Sequence, residues 1–282
     1  MPRLRVGEED GVLRPLSVAA TLLLATVFVS WDASVSQAGT LSGTLFPGAV
    51  TNRNMTAEGA IDWAIWGFAD SGTSTSLTPD DHKTGGTGIS ALTNISNGTP
   101  LRGLGQFGAF AHTFDWTDGT PVLAATAAKG GLQHNSSNAQ PNIIGEGFSL
   151  SVPADTQLRR LRLYVTAHEG TGTLMASLSD ASAPTYVQDL GNNITQNLPG
   201  TYQIDYAADS AGKVLNVSYV LTQKGTTQFA NVAIFAASLT IPKPLTTAPS
   251  VSRSGLLVLL LMLFAAGLLV LRRQEQVIDP QR

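Results

Sequence analysis

Between residues 39 and 245, apolar side chains return at every second position in short runs, and this period of two constrains the fold most. Ile61, Trp63 and Ile65 alternate with Asp62, Ala64 and Trp66, and Phe148, Leu150 and Val152 alternate with Gly147, Ser149 and Ser151. Leu161, Leu163 and Val165 make a third such face, and Leu215, Val217, Tyr219 and Leu221 a fourth. Val232, Ile234 and Ala236 make a fifth, opposite Phe235, Ala237 and Leu239. Strands alternate in this way because successive side chains point to opposite faces of a sheet. Asp118-Gly119, Ala211-Gly212 and the stretch 169–172 punctuate the runs with residues that accept the positive φ of a tight turn. Weaker runs lie near Ile89 and at 107–114, 122–127, 174–178 and 202–206. About ten strands in about two hundred residues predict an all-β fold, an antiparallel two-sheet jelly-roll sandwich.

The chain has no cysteine, so disulfides contribute nothing and the core has to hold the sandwich together. Charge is nearly balanced, 17 Lys and Arg against 20 Asp and Glu, which gives no electrostatic footprint for nucleic acid. The two ends read differently from the middle. Residues 18–29 are apolar over the length of a signal-peptide h-region, and Ser36 and Ala38 are small residues suited to cleavage before Gly39. Residues 1–38 are therefore expected to be a signal peptide, removed by a signal peptidase, and 39–240 the ectodomain. Residues 241–254 form a Pro-, Thr- and Ser-containing linker. Residues 255–271 are continuously apolar and near the lower limit for one transmembrane helix, followed by Arg272 and Arg273. That pair is expected to stop the span and stay cytoplasmic at the head of the tail 272–282, leaving the ectodomain on the far side of the membrane.

Pro249, Ser250, Val251 and Ser252, then the apolar run and Arg272-Arg273, resemble a bacterial C-terminal sorting signal of the PEP-CTERM and IPTL-CTERM kind. The four residues stand where the second of these has Pro-Thr-Leu-Ser. The resemblance implies an exosortase-type transpeptidase as a partner during export, cutting near the motif and passing the ectodomain to the cell envelope or surface.

A second resemblance covers most of residues 56–239. It is carried by Asp62-Trp63-Ala64-Ile65-Trp66-Gly67, Trp116-Thr117-Asp118-Gly119-Thr120-Pro121 and Val152-Pro153-Ala154-Asp155. These phrases are similar to a galactose-binding-like β-sandwich accessory module of exported bacterial proteins, often found beside glycoside hydrolases. The resemblance implies a jelly roll and, more loosely, carbohydrate as ligand. Where comparable modules have a His between the two tryptophans, Ala64 and Ile65 stand here.

Trp63 shares a face with Ile61 and Ile65 and reads as core. Trp66 shares the other face with Asp62. That pair reads in two ways: as a sugar site, with the ring covering an apolar sugar face and the carboxylate accepting from hydroxyls, or as a covered indole beside a carboxylate that ties a backbone turn. Period two assigns opposite faces without naming the one that meets the core. Trp116 with Asp118 likewise reads as an aromatic platform at a strand end or as a simple turn. Asp62, Trp66, Trp116 and Asp118 are the candidate ligand-binding residues.

His82, His112, His134 and His168 are scattered without zinc spacing, and Asp80-Asp81 lacks the acidic pattern of a calcium loop. No metal or other cofactor is expected. Glu58, Glu146 and Glu169 are the only glutamates in the ectodomain and suggest no glycosidase pair, and no nucleophile elbow occurs. The expectation is a non-catalytic, surface-displayed module that binds carbohydrate or matrix. The alternative is a structural surface-layer or biofilm-matrix protein with no small ligand.

Overall fold

The computed structural model describes residues 38–68, 74–96, 98–104, 112–134, 143–191, 197–225 and 229–243, together with Met262. The expected signal peptide, the motif Pro249–Ser252, nearly all of the apolar run and Arg272-Arg273 lie outside them. Among the described residues, no helix is long and apolar enough to cross a membrane.

A nine-stranded sheet has the order β1 (Thr40–Pro47), β15 (Asn197–Ala207), β12 (Arg159–His168), β17 (Asn231–Thr240), β3 (Asp62–Ile65), β4 (Asp81–Lys83) and β8 (Gly119–Thr120). Its remaining strands, β10 (Leu132–His134) and β6 (Leu101–Gly103), branch from β17. A five-stranded sheet has the order β14 (Tyr186–Leu190), β13 (Gly170–Leu178), β16 (Lys213–Lys224), β11 (Gly147–Ala154) and β5 (Thr93–Ile95). The two sheets pack face to face, with β11, β16 and β13 burying their inner residues against β12, β15 and β17. Every pairing within these two sheets is antiparallel.

The alternation read from the sequence sets the main core. Phe148, Leu150 and Val152 of β11 and Leu215, Val217, Tyr219 and Leu221 of β16 pack against Leu161, Leu163 and Val165 of β12 in one buried cluster. Tyrosines also tie the sheets by their hydroxyls: Tyr202 donates to the Gln188 carbonyl at 2.9 Å and Tyr206 to the Pro153 carbonyl at 3.0 Å. At one side the sandwich is closed by Tyr186 lying over Gly43 of β1, where an added Cβ would fall 2.3 Å from the ring.

Two features depart from a plain two-sheet sandwich. The first is a third, three-stranded sheet of β2 (Arg53–Asn54), β7 (Phe114–Trp116) and β9 (Ala125–Ala128), in which β2 and β7 run parallel. With the single-turn helix α1 (Met55–Glu58), capped by the Asn54 side chain, it supplies a second core. Met55, Phe114, Trp116 and Ala128 pack there on Trp63, Ile65, Tyr164 and Phe235 from the outer face of the nine-stranded sheet. The middle of that sheet is covered on both sides, and every residue of β3 and nearly all of β17 are buried. The second is a bulge between β12 and β17, where Tyr164 pairs with Ala236 but Val165 pairs with Ile234. The extra residue turns Ala237 and Leu239 onto the main-core face beside Val232 and Ile234, while Ala236 joins Phe235 in the second core. The strict alternation expected along this strand is thereby corrected.

His112 is a polar member of the second core. Its Nε2–H donates to the Val165 carbonyl at 3.0 Å, while Nδ1 accepts from Val50 N–H at 3.2 Å. Burial, with a smaller push from Arg53, lowers its pKa from 6.5 to about 4 against the opposing Val165 hydrogen bond. Below pH 6.5 the unfolded chain takes up a proton that the folded chain refuses until about pH 4. Stability is therefore lost as pH falls through that window, by about 3 kcal/mol in full. Urea midpoints measured from neutral pH down to the acid limit should show this slope, and His112→Gln should flatten it.

Candidate functional site

The four residues singled out from sequence do not form a ligand platform. Asp62 and Trp66 do share a face of β3, but it is the face turned into the main core. Trp66 is fully buried and its Nε1–H donates to the Leu77 carbonyl at 3.1 Å. The Asp62 carboxylate accepts the backbone N–H groups of Trp63 (2.8 Å), Gly88 (2.7 Å) and Ile89 (2.8 Å), tying the 86–89 turn to the strand. Burial raises its pKa, with those three hydrogen bonds and His82 opposing. The turn-tying reading of Asp62 and the covered reading of Trp66 are the ones realised.

Trp116 is equally closed to solvent. It lies 5.3 Å from Trp63 and 5.6 Å from Phe68 between ring centroids, and its Nε1–H donates to the Val122 carbonyl at 2.8 Å. Asp118 accepts from Thr56 Oγ1 (2.6 Å), from Trp63 Nε1 (3.0 Å) and from Lys83. Partial burial works against its charge, but those bonds outweigh it and hold its pKa below the ordinary carboxylate value. Asp118 is thus a clamp between the third layer and β4. The expectation of Trp66 and Trp116 as stacking surfaces is corrected: Trp66 faces the main core from a strand covered on both sides, and Trp116 faces the second core from the layer that covers it.

The three glutamates sit on separate elements: Glu58 in α1, Glu146 just before β11 and Glu169 in the β12–β13 turn. Glu146 lies in the interior beside His134, 3.4 Å from Nδ1. Asp80 accepts Phe68 N–H and Asp81 accepts Val122 N–H, so both carboxylates anchor backbone.

The open surface of interest is the outer face of the five-stranded sheet. Strand register draws Val187, Met175, Ser218, Ser149 and Thr93 into one row across five strands, with Ser177, Asn216 and Ser151 in the next. At the usual strand spacing such a row is roughly 20 Å long. Apart from Val187, these side chains together with Ser90 and Thr185 line a groove of about 350 Å³ in which no lining residue is charged. Met175 and Val187 are about half exposed, at 45% and 53%. Hydroxyls and one amide fill most of this face, and Met175 with its cross-strand neighbour Val187 forms one apolar patch at its β13–β14 side. This face carries none of the residues chosen from sequence, because its serines and threonines read there simply as the wet side of strands.

No family model matches this chain, and no curated protein matches it. Among solved structures it is similar to TmCBM61 in complex with β-1,4-galactotriose, at 11% identity over 55% of this chain and 88% of that one, with a TM-score of 0.32. It is also similar to the CBM22-1–GH10 modules of Clostridium thermocellum endo-1,4-β-D-xylanase 10B complexed with xylohexaose, at 10% identity and a TM-score of 0.28. That match covers 56% of this chain and 27% of the other. A third is arabinose-bound MgGH51 α-L-arabinofuranosidase, at 12% identity over 71% of this chain and 32% of that one, TM-score 0.32. Likeness at such scores assigns no ligand.

Asp62→Ala strips the partner from three backbone donors and should lower stability by about 2–3 kcal/mol. Trp66→Ala, which empties part of the main core, should cost about 3–5 kcal/mol. Urea denaturation of both variants checks this, and an unchanged midpoint in either would contradict a purely structural role.

Proposed function

We propose that the chain is a non-catalytic binding module whose ligand is a neutral polysaccharide laid across the five-stranded sheet. The observation that carries this reading is the uncharged groove itself, a row of Ser, Thr and Asn side chains that ends on the half-exposed Met175, with Val187 beside it. A neutral sugar presents the complementary pattern, with hydroxyls around its rim and C–H groups on its faces. Asn216 offers both an amide donor and an acceptor at the centre of the groove, and the serines rotate their hydroxyls to suit either role. Absence of charge in the lining removes any penalty for desolvating ions when the ligand seats.

The same proposal takes the ends of the chain from the sequence. The h-region before Gly39 and the Pro-motif, apolar run and Arg272-Arg273 support export across the inner membrane. They also support delivery to the envelope by signal peptidase and an exosortase-type transpeptidase. The ligand is then extracellular polysaccharide or matrix.

Binding of the full chain to a panel of neutral and charged polysaccharides tests the groove, beside Asn216→Ala, Met175→Ala and Ser218→Trp. The expected result is saturable binding to a neutral polymer, weakened about tenfold by each alanine variant and abolished by the bulky Ser218→Trp, with folding intact. No neutral ligand in the panel, together with self-association in solution, would overturn this in favour of a structural matrix protein.

A further inference from the structure

We propose a second binding site on the opposite face, where the nine-stranded sheet emerges from under the third layer, built for the carboxylate of an acidic sugar. It stands independently of the groove on the five-stranded sheet. The pocket holds about 290 Å³ and is lined by Phe46, Arg53, Arg162, Thr201 and Gln203, with the 47–50 segment as its rim. Register sets its floor: Phe46 pairs with Thr201, and Arg162 pairs with Gln203. These rows lie two residues apart on β15 and therefore share one face of the sheet.

The rim is fixed in place. Gly48 N–H donates to the Pro199 carbonyl and Arg53 N–H to the Thr113 carbonyl, both at 2.8 Å, while Val50 is held by His112. Arg53 thereby hangs over the floor that carries Arg162. Both guanidinium groups bear on the same buried carboxylate: Arg162 Nη1 lies 2.8 Å from Glu58 Oε1 and Arg53 Nε lies 3.3 Å from Oε2. Tyr164 also donates its hydroxyl to Glu58 Oε1, at 2.5 Å. Two fixed positive charges share one negative charge, so the pocket keeps an excess of one positive charge. Asp205, the next acid along β15, does not cancel it, because Arg160 holds it with two bonds of 2.6 and 2.8 Å. His112, the other titratable group against Arg53, is neutral above about pH 4.

Three further groups say what anion fits. The Thr201 side chain is 96% buried in the wall, and its Oγ1 has no hydrogen-bond partner among the described residues. A buried hydroxyl without a partner costs stability unless a ligand or water completes it. The Arg53 side chain is 44% exposed and lines the pocket, and its guanidinium, which meets Glu58 through Nε, is the group suited to a two-pronged grip on a carboxylate. Phe46, half exposed beside them, offers an aromatic surface to the C–H face of a ring. A carboxylate on a pyranose ring, with hydroxyls for Thr201 and Gln203, uses all of these at once. A bare inorganic anion uses only the charge.

The test is calorimetric titration of the full chain with trigalacturonate, with the neutral galactotriose and with inorganic sulfate. With the groove on the other sheet blocked by Ser218→Trp, the assignment expects saturable binding of trigalacturonate alone. That affinity should fall about tenfold when salt rises from about 0.05 to about 0.5 M. Arg53→Gln should weaken it by at least about tenfold, and Phe46→Ala and Thr201→Val by less. Arg53→Gln leaves Arg162 and Tyr164 on Glu58, so its fold should survive, and an unchanged melting temperature checks this. The groove variant Ser218→Trp should bind trigalacturonate normally, which separates this site from the one on the other sheet. Equal binding of sulfate or of galactotriose by Ser218→Trp, or unchanged affinity in folded Arg53→Gln, would overturn the assignment.

Discussion

Coverage of the nine-stranded sheet on both faces is the constraint from which most of this structure follows. Two packed sheets need be apolar only toward each other, but here the outer face of β3, β12 and β17 carries Trp63, Ile65, Tyr164 and Phe235 as well. That apolar face has to be taken from water, and the third sheet with α1 covers it. Charged contacts also fix the position of the covering layer. Glu58 of α1 reaches Arg162 and Tyr164 of β12, and Asp118 ties Thr56 and Lys83 to the indole of Trp63. A carboxylate buried as deeply as Glu58 is tolerable only because donors from both layers converge on it, so the layer and the sheet specify each other.

This double coverage also separates what the sequence reveals from what it hides. Strands covered on one face, β11 and β16, carry the alternation plainly, and their apolar positions all fall in the main core. The all-β, antiparallel reading rests on them and holds. In β3 the same alternation is present, yet it names two buried faces, and no pattern in six residues distinguishes a wet face holding a Trp from a second core. In β17 the bulge at Phe235 shifts the phase by one residue, a change that backbone pairing makes and side-chain pattern alone cannot announce. The third sheet has strands of two to four residues, shorter than one full alternation can mark.

The surfaces open to ligands were the least legible part for a related reason. Ser149, Asn216, Ser218 and Met175 come from three strands far apart in the chain, and only their register brings them into one row. Taken singly, each is an ordinary solvent-facing residue. Arg53 and Arg162 are likewise distant in sequence, and nothing in the spacing says that both bear on Glu58. Tryptophan next to aspartate is chemically conspicuous in the sequence. A conspicuous side chain in a chain without disulfides is first of all core material, and each described indole here is buried with its N–H satisfied by the protein itself.

Using the indoles inside leaves the outer sheet face without a stacking ring, and this sets how strongly the groove can hold a sugar. Hydroxyl-to-hydroxyl hydrogen bonds replace bonds to water at a net gain of about 1 kcal/mol or less each, and Met175 and Val187 add only modest apolar area. A single seating is therefore weak, and useful retention of a polymer comes from many modules meeting many repeats of one chain. Under the proposed function, in which the ectodomain is anchored or sorted to the surface, display in high local copy number would be the setting that makes such a shallow, uncharged groove effective.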